Sequence, residues 1–275
     1  RRHKLKRRSY VNHGPNFAVH IDQYDKLRLY GFCIHGAVDG FSRRILWLRV
    51  AETNRDPAVV ASYFVDYLKE IEGIPRCIQM DRGTENTTIT HIQRALHSVY
   101  AAHQESPCVI FSASPHNQRI ERFWRTLFEM LINSWLDSLR ACVQIGTLDC
   151  TSRVQLECLR FCLMRVLQLE LDEVRVEWNQ HRSRGSAHAV APAGKPDLMY
   201  FLPCTLGTYD FKISVPLEEV TAIKQEFTSD PKRNGCCQEV EAACQELLQL
   251  HNRPMPSSLQ EGLDLFQWLL PHILP

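Results

Sequence analysis

The stretch 16-NFAVHIDQYD-25 alternates apolar and polar positions around Phe17, Val19 and Ile21. A period of two marks a strand with one face buried. Asp22 stands in the middle of it directly after the apolar Ile21, where an unpaired carboxylate is costly. Downstream, 28-RLYGFCIHGAVDGFSRRILWLRVAE-52 reads as two further strands around an Asp39-Gly40 turn, a hairpin signal. Asp56-Pro57 then opens a helix with Asp56 at its cap, and Val60, Phe64, Tyr67 and Leu68 keep helical spacing. A short strand in 75-PRCIQMD-81 ends at Asp81. Asn86-Thr87 can cap a helix running to about Tyr100, and 107-PCVIF-111 is a fifth strand. The helix carrying Glu121 follows and continues through 126-TLFEMLINSWLDSL-139. Three antiparallel strands followed by alternating helices and strands predict an α/β fold, a mixed sheet with helices on its faces.

Beyond residue 150 the pattern turns helical. The stretch 154-VQLECLRFCLMRVLQLELDEVRVEWNQHR-182 is one long amphipathic run, closed by the link 185-GSAHAVAPAGKPD-197. A strand is expected near 209–216, and helices from Leu217 onward, with Leu247, Leu250, Leu263, Phe266 and Leu270 as apolar positions. These helices suit either a partner-binding set or a cover for the core. The expected segmentation is a basic segment (1–15), a core (16–145), a helical post-core segment with its linker (146–216) and a helical tail (217–275).

Composition narrows the function classes. A 275-residue chain with 44% hydrophobic residues can bury a sizeable core, and no apolar run reaches membrane-spanning length. The net charge is +1, yet the opening RRHKLKRR holds six Lys or Arg and no acid, so the remainder is acidic. That run reads as a nuclear-localisation or phosphate-contacting segment, or as a solvated linker, and predicts a nuclear protein. A start without Met suggests a fragment. The eleven cysteines include no Cys-x-x-Cys pair, and Cys158 with Cys162 lacks a histidine at zinc-finger spacing. Reduced thiols are the expectation.

Three acids stand at informative places: Asp22 on the first strand, Asp81 at the end of the fourth, and Glu121 near the start of the helix after the fifth. If the first and fourth strands are neighbours, Asp22 and Asp81 approach, and a helix across the sheet brings Glu121 in from the side. Converging carboxylates repel unless cations neutralise them, and such oxygen-rich clusters suit Mg2+ or Mn2+. On the Glu121 helix, Asn117, Glu121 and Arg125 share a face, with Gln118 and Arg122 beside it. Ile120, Trp124, Leu127, Leu131 and Trp135 form the opposite, core-facing stripe. Asn117, Gln118, Arg119, Arg122 and Arg125 are therefore candidate contacts to DNA. A solvated helix face, or pairing of Arg119 or Arg122 with an acid, is the competing reading.

Together HIDQYDKL, GAVDGFSRRILWLRV, MDRGTEN, SPHNQRIERFWRTL and the later EWNQHRSRGSAHAVAPAGKPDLMYFLP resemble the catalytic core of retroviral-type integrases and DDE transposases. Within that group the chain most resembles integrase-core proteins of animal transposable elements, over roughly residues 8–210. The resemblance implies a ribonuclease-H-like five-stranded sheet, DNA as substrate, two Mg2+ or Mn2+ ions and a homo-oligomer. It also implies Asp22, Asp81 and Glu121 as catalytic, metal-holding acids. Asp39 matches a family turn residue, and a turn role is expected for it. Asp25 beside Lys26 reads as a surface pair, and Glu85 as a turn or helix-start residue. His20 and His35 read as satisfied polar groups. His116 reads as a further satisfied polar group, with assistance at the metals as its alternative, and His181, Arg182 and Arg184 suit DNA contact or a helix cap. The alternatives are a non-catalytic host protein derived from such an element, and a nuclease without strand transfer.

Overall fold

The structure, a computed structural model, describes residues 12–111, 118–183 and 192–273. Strand β1 (Val19–Tyr24) pairs antiparallel with β2 (Cys33–Asp39), which pairs antiparallel with β3 (Ile45–Ala51). Helix α1 (Pro57–Ile71) follows, with Pro57 in its first turn and the Asp56 carboxylate accepting from the Ala58 N–H at 2.9 Å. A two-residue strand β4 (Gly73–Ile74) leads to β5 (Ile78–Met80), helix α2 (Thr87–Tyr100) and β6 (Val109–Phe111). Both β5 and β6 run parallel to β1, and the five-stranded sheet has the order β3-β2-β1-β5-β6. This is the ribonuclease-H-like arrangement that the sequence motifs lead one to expect.

Helix α3 (Gln118–Leu127) passes through a π turn into α4 (Asn133–Gln144), and α5 (Arg153–Gln180) is a 28-residue helix. After α6 (Pro196–Phe201), the strand expected over 209–216 is only β7 (Ile213–Ser214), paired with β4. The helical tail comprises α7 (Leu217–Phe227), α8 (Gln238–Leu250) and α9 (Leu259–Ile273).

Strand alternation sorts the core into two layers. Val19, Ile21, Ala37 and Trp47 pack with α1 and α2 on one face. Tyr24, Ile34, Val38, Leu48 and Val50 pack with α3, α4, α5 and α9 on the other. Asp22 shares the parity of Tyr24, so it is carried on the α3 face. In the tail, Leu263 and Phe266 are buried against α5 as a cover for the core, whereas Leu250 is 75% exposed and is no core position.

Asp39 closes the β2–β3 hairpin. Its carboxylate accepts from the Asn16 N–H (2.8 Å) and from the N–H and hydroxyl of Ser42 (both 2.7 Å). Burial pushes its carboxyl up to about 6 against the pull of those bonds. At the sheet's outer edge, α5 supplies what a neighbouring strand would. Gln168 accepts from the Val50 N–H and donates to the Leu48 carbonyl, both at 3.0 Å. Asn179 does the same to Ile45 at 2.8 and 3.0 Å. Eleven residues is close to three helical turns, so both amides project from one face of α5.

All eleven cysteines are free, and Cys158, Cys162, Cys236 and Cys244 are buried together where α5 meets the tail. Burial pushes the Cys236 thiol up to about 12.

Candidate active site

The side chain of Trp124, one of the apolar stripe positions of α3, also makes a polar contact. Its Nε1–H donates to Asp22 Oδ2 at 2.9 Å. Its ring packs beside Tyr24, centroids 5.0 Å apart, and its far edge lies over Gly36, the residue opposite Asp22 on β2. A Cβ at Gly36 would stand 2.8 Å from Trp124 Cη2, a backbone–indole approach that only glycine permits. Gly36→Ala should therefore lower stability by about 1–3 kcal/mol through overpacking. It should also displace the indole from Asp22. A urea titration checks the first effect and Trp124 fluorescence the second; an unchanged midpoint would refute the close approach.

Asp81 follows β5 directly. The parallel register pairs Val19 with Ile78 and His20 with Gln79, and carried forward two residues it sets Asp22 level with Asp81. Asn86 was expected to cap α2, but its side chain makes no capping bond. Its Nδ2 instead donates to Asp81 Oδ1 at 3.0 Å, because the 3-10 turn 84–86 folds it back toward the strand end. Glu85 folds over Gly83, where a Cβ would overlap its carboxylate, in keeping with a turn role.

Glu121 lies three residues before Trp124, about 60° round α3 from it, so the two faces expected to oppose each other instead adjoin here. Glu121 is half-buried, as are Asp22 and Asp81. The Asp22 carboxyl is pushed up to about 7, first by burial and then by the negative charges of Glu121 and Asp81. The Trp124 and Gln23 hydrogen bonds pull it down. The fold thus brings the three acids into one electrostatic neighbourhood. Among the described residues no group of three or more His, Cys, Asp or Glu is closed tightly enough to grip a metal ion as placed. The donor chemistry nevertheless fits a hard cation, since a half-buried carboxylate in the field of two others is the arrangement that a divalent ion neutralises.

A family model described as integrase core domain matches residues 9–194. The chain belongs to the integrase core domain family. That family is one of polynucleotidyl transferases. Similar solved structures include the catalytic core domain of HTLV-2 integrase in complex with magnesium, in a trimeric form. It is 14% identical over 68% of this chain and 97% of that one, with a TM-score of 0.37. The dimeric form is 15% identical over 70% and 99%, also at 0.37. No curated protein matches the chain.

In this integrase core the expected DNA-facing residues divide. Arg122 and Arg125 are exposed and Arg119 is half-buried. Asn117, His116, Arg184 and the basic opening lie outside the described residues, as does the side chain of Gln118. Arg43, in the β2–β3 hairpin, joins Arg119 and Arg122. Burial, followed by the charges of those two arginines, lowers its pKa, so the three guanidiniums share one neighbourhood. Only the SRR triplet of the turn hinted at Arg43. Trp178 of α5 braces the same turn by donating to the Arg43 carbonyl at 2.8 Å. Asp25 pairs with Arg28 at 3.5 Å and not with Lys26. His35 accepts from Trp47 Nε1 at 3.1 Å, and burial lowers it to about 3, so it is a neutral core group. Among the described residues no helix is long and apolar enough to cross a membrane.

Proposed function

We propose that the chain is the catalytic domain of a divalent-metal-dependent polynucleotidyl transferase that cuts and joins DNA strands. The observation that carries the reading is Asp22, half-buried on β1, held by Trp124 and raised to about 7 with both Glu121 and Asp81 acting on it. Asp22, Asp81 and Glu121 are the residues that would hold two Mg2+ or Mn2+ ions. Bound there, such ions supply activation of the attacking hydroxyl and stabilisation of the leaving oxygen of a phosphodiester.

The chain's own groups do the positioning. Asn86 fixes one oxygen of Asp81, and Trp124 fixes one oxygen of Asp22. Arg43, Arg119, Arg122 and Arg125, with Asn117 and Gln118, are the proposed contacts to DNA phosphate and bases. A water opens the strand at the element end, and the freed 3′-hydroxyl attacks target DNA in line, with no covalent protein intermediate. The basic opening is proposed to direct the protein to the nucleus, and the working form is proposed to be a homo-oligomer.

The test is strand cleavage and joining on a labelled oligonucleotide with Mn2+ or EDTA, for wild type and Glu121→Gln. Products that need Mn2+ and vanish in the variant are expected. Absence of both products and Mn2+ binding would replace this reading with a host protein that binds DNA or a partner without catalysis.

A further inference from the structure

The helical tail contributes a second polar site. A cavity of about 380 Å³ lies between α5, the loop joining α7 to α8, α8 itself and the turn after it. That volume is within the range of small-ligand pockets. Three arginines line it from three separate elements: Arg165 from α5, Arg233 from the loop and Arg253 from the turn. Its apolar wall is made by Phe161, Leu248 and Met255. The carboxamides of Asn234, Gln245, Gln249 and Asn252 complete the lining, which contains no acid.

This concentration of positive charge is not inherited from its surroundings. Residues 217–275 hold nine Asp or Glu against four Lys or Arg, and two of those four line the cavity. Among the described residues none of the three guanidiniums makes an ion pair, whereas Arg28, Arg44, Arg49, Arg140, Arg153 and Arg175 all do. The nearby carboxylate, Glu241, is engaged by Asn234 at 2.8 Å and Gln245 at 3.2 Å.

The site is also preorganised. Arg253 lies over the Trp268 ring, 4.4 Å from its centroid, which holds its planar fork in place. The loop carrying Arg233 is pinned to α5 twice. Arg160 Nε donates to the Gly235 carbonyl, and the Cys237 N–H donates to Glu157 at 2.9 Å. Three arginines lining one cavity, beside the carboxamides of Gln249 and Asn252, suit a phosphoryl group. The apolar wall asks for an organic substituent on it.

We propose that this cavity binds an organophosphate, with its phosphoryl group among Arg165, Arg233 and Arg253 and its organic part on Phe161, Leu248 and Met255. Two sources share that chemistry, a free nucleotide and a phosphate along a nucleic-acid strand. The site is separate from the carboxylates on the sheet and stands whether or not the chain is catalytic.

The experiment uses the full chain in EDTA, so that carboxylate-bound metal plays no part. Calorimetry with inorganic phosphate and with adenosine monophosphate is run beside anisotropy with a labelled single-stranded oligonucleotide, for wild type and Arg165→Gln/Arg233→Gln. These side chains are exposed, and circular dichroism confirms that the variant is folded. Adenosine monophosphate should bind more tightly than inorganic phosphate, and the double variant should weaken it by roughly tenfold or more per lost guanidinium. If only the oligonucleotide binds and the variant weakens it by the same measure, the source is a strand. Binding of no probe, or equal binding by both proteins, overturns the proposal.

Discussion

Asp22→Asn should abolish metal-dependent strand cleavage and, at pH 8 with no metal bound, make the protein more stable. The two effects share one cause. In the folded state the Asp22 carboxyl is raised from 3.8 to about 7, by burial and by the charges of Glu121 and Asp81. A folded pKa above the unfolded value means that the folded protein keeps a proton that the unfolded chain releases. The penalty is therefore absent below about pH 4, grows between about pH 4 and 7, and is complete above that. At roughly 1.4 kcal/mol for each pH unit, its upper bound is about 4 kcal/mol. Asparagine keeps the shape and can still accept from Trp124, but carries no charge. Urea titrations in EDTA should show the variant gaining stability at pH 8 and no gain at pH 4. Cleavage should fall by about a thousandfold or more, since a lost metal contact costs several kcal/mol of barrier. Wild-type cleavage rates, or a stability change that ignores pH, would contradict the assignment.

Trp135→Ala should be the most damaging single change to the fold. Trp135 is 1% exposed at the junction of α4, α5 and the sheet. Its ring meets the edge of Phe32 at 6.1 Å, and its Nε1–H donates to Glu170 at 2.6 Å. Truncation removes a large buried surface and leaves a cavity, at a cost of about 3–5 kcal/mol. It also strips the half-buried Glu170 carboxylate, whose pKa burial raises, of the bond that partly offsets that rise. Trp135→Phe keeps most of the volume and should lose only about 1–3 kcal/mol. Denaturant midpoints separate the two, and equal losses would show that the hydrogen bond, not the packing, dominates.

The elements with strong local signals were legible in the sequence. The period of two around Val19 and Ile21, the Asp39 hairpin and the Asp56-Pro57 helix start each depend on neighbours within a few residues. The three acids could be singled out as well, Asp81 and Glu121 at recognisable boundaries of strand and helix and Asp22 as a carboxylate inside a strand. What escaped was set by distant partners. Trp124 reads as a core residue because it is one, and nothing local reveals that its indole N–H ends on Asp22, 102 positions earlier. Gly36 looks like any strand glycine until the indole is seen above it. Asn86 has the position of a cap, yet its Nδ2 is turned onto the charged Asp81 carboxylate, and that orientation takes its Oδ1 away from the first N–H groups of α2. Arg43 acquires its meaning only when α3 brings two more cations beside it.

The two amides that α5 lays along β3 settle how this sheet meets other chains. A bare outer strand is a template for another strand, whether in ordered assembly or in aggregation. Gln168 and Asn179 occupy that template at Ile45, Leu48 and Val50. The opposite margin, β6, has no strand beyond it among the described residues, and Ile110 and Phe111 are 40% and 36% exposed there. Among the described residues, strand addition to the five-stranded sheet is thus one-sided: two copies can zip together margin to margin at β6, but a fibre built on this sheet needs two open margins on every copy, and β3 does not supply one. Chains cut short before α5 lose that protection and are the ones to expect in the insoluble fraction.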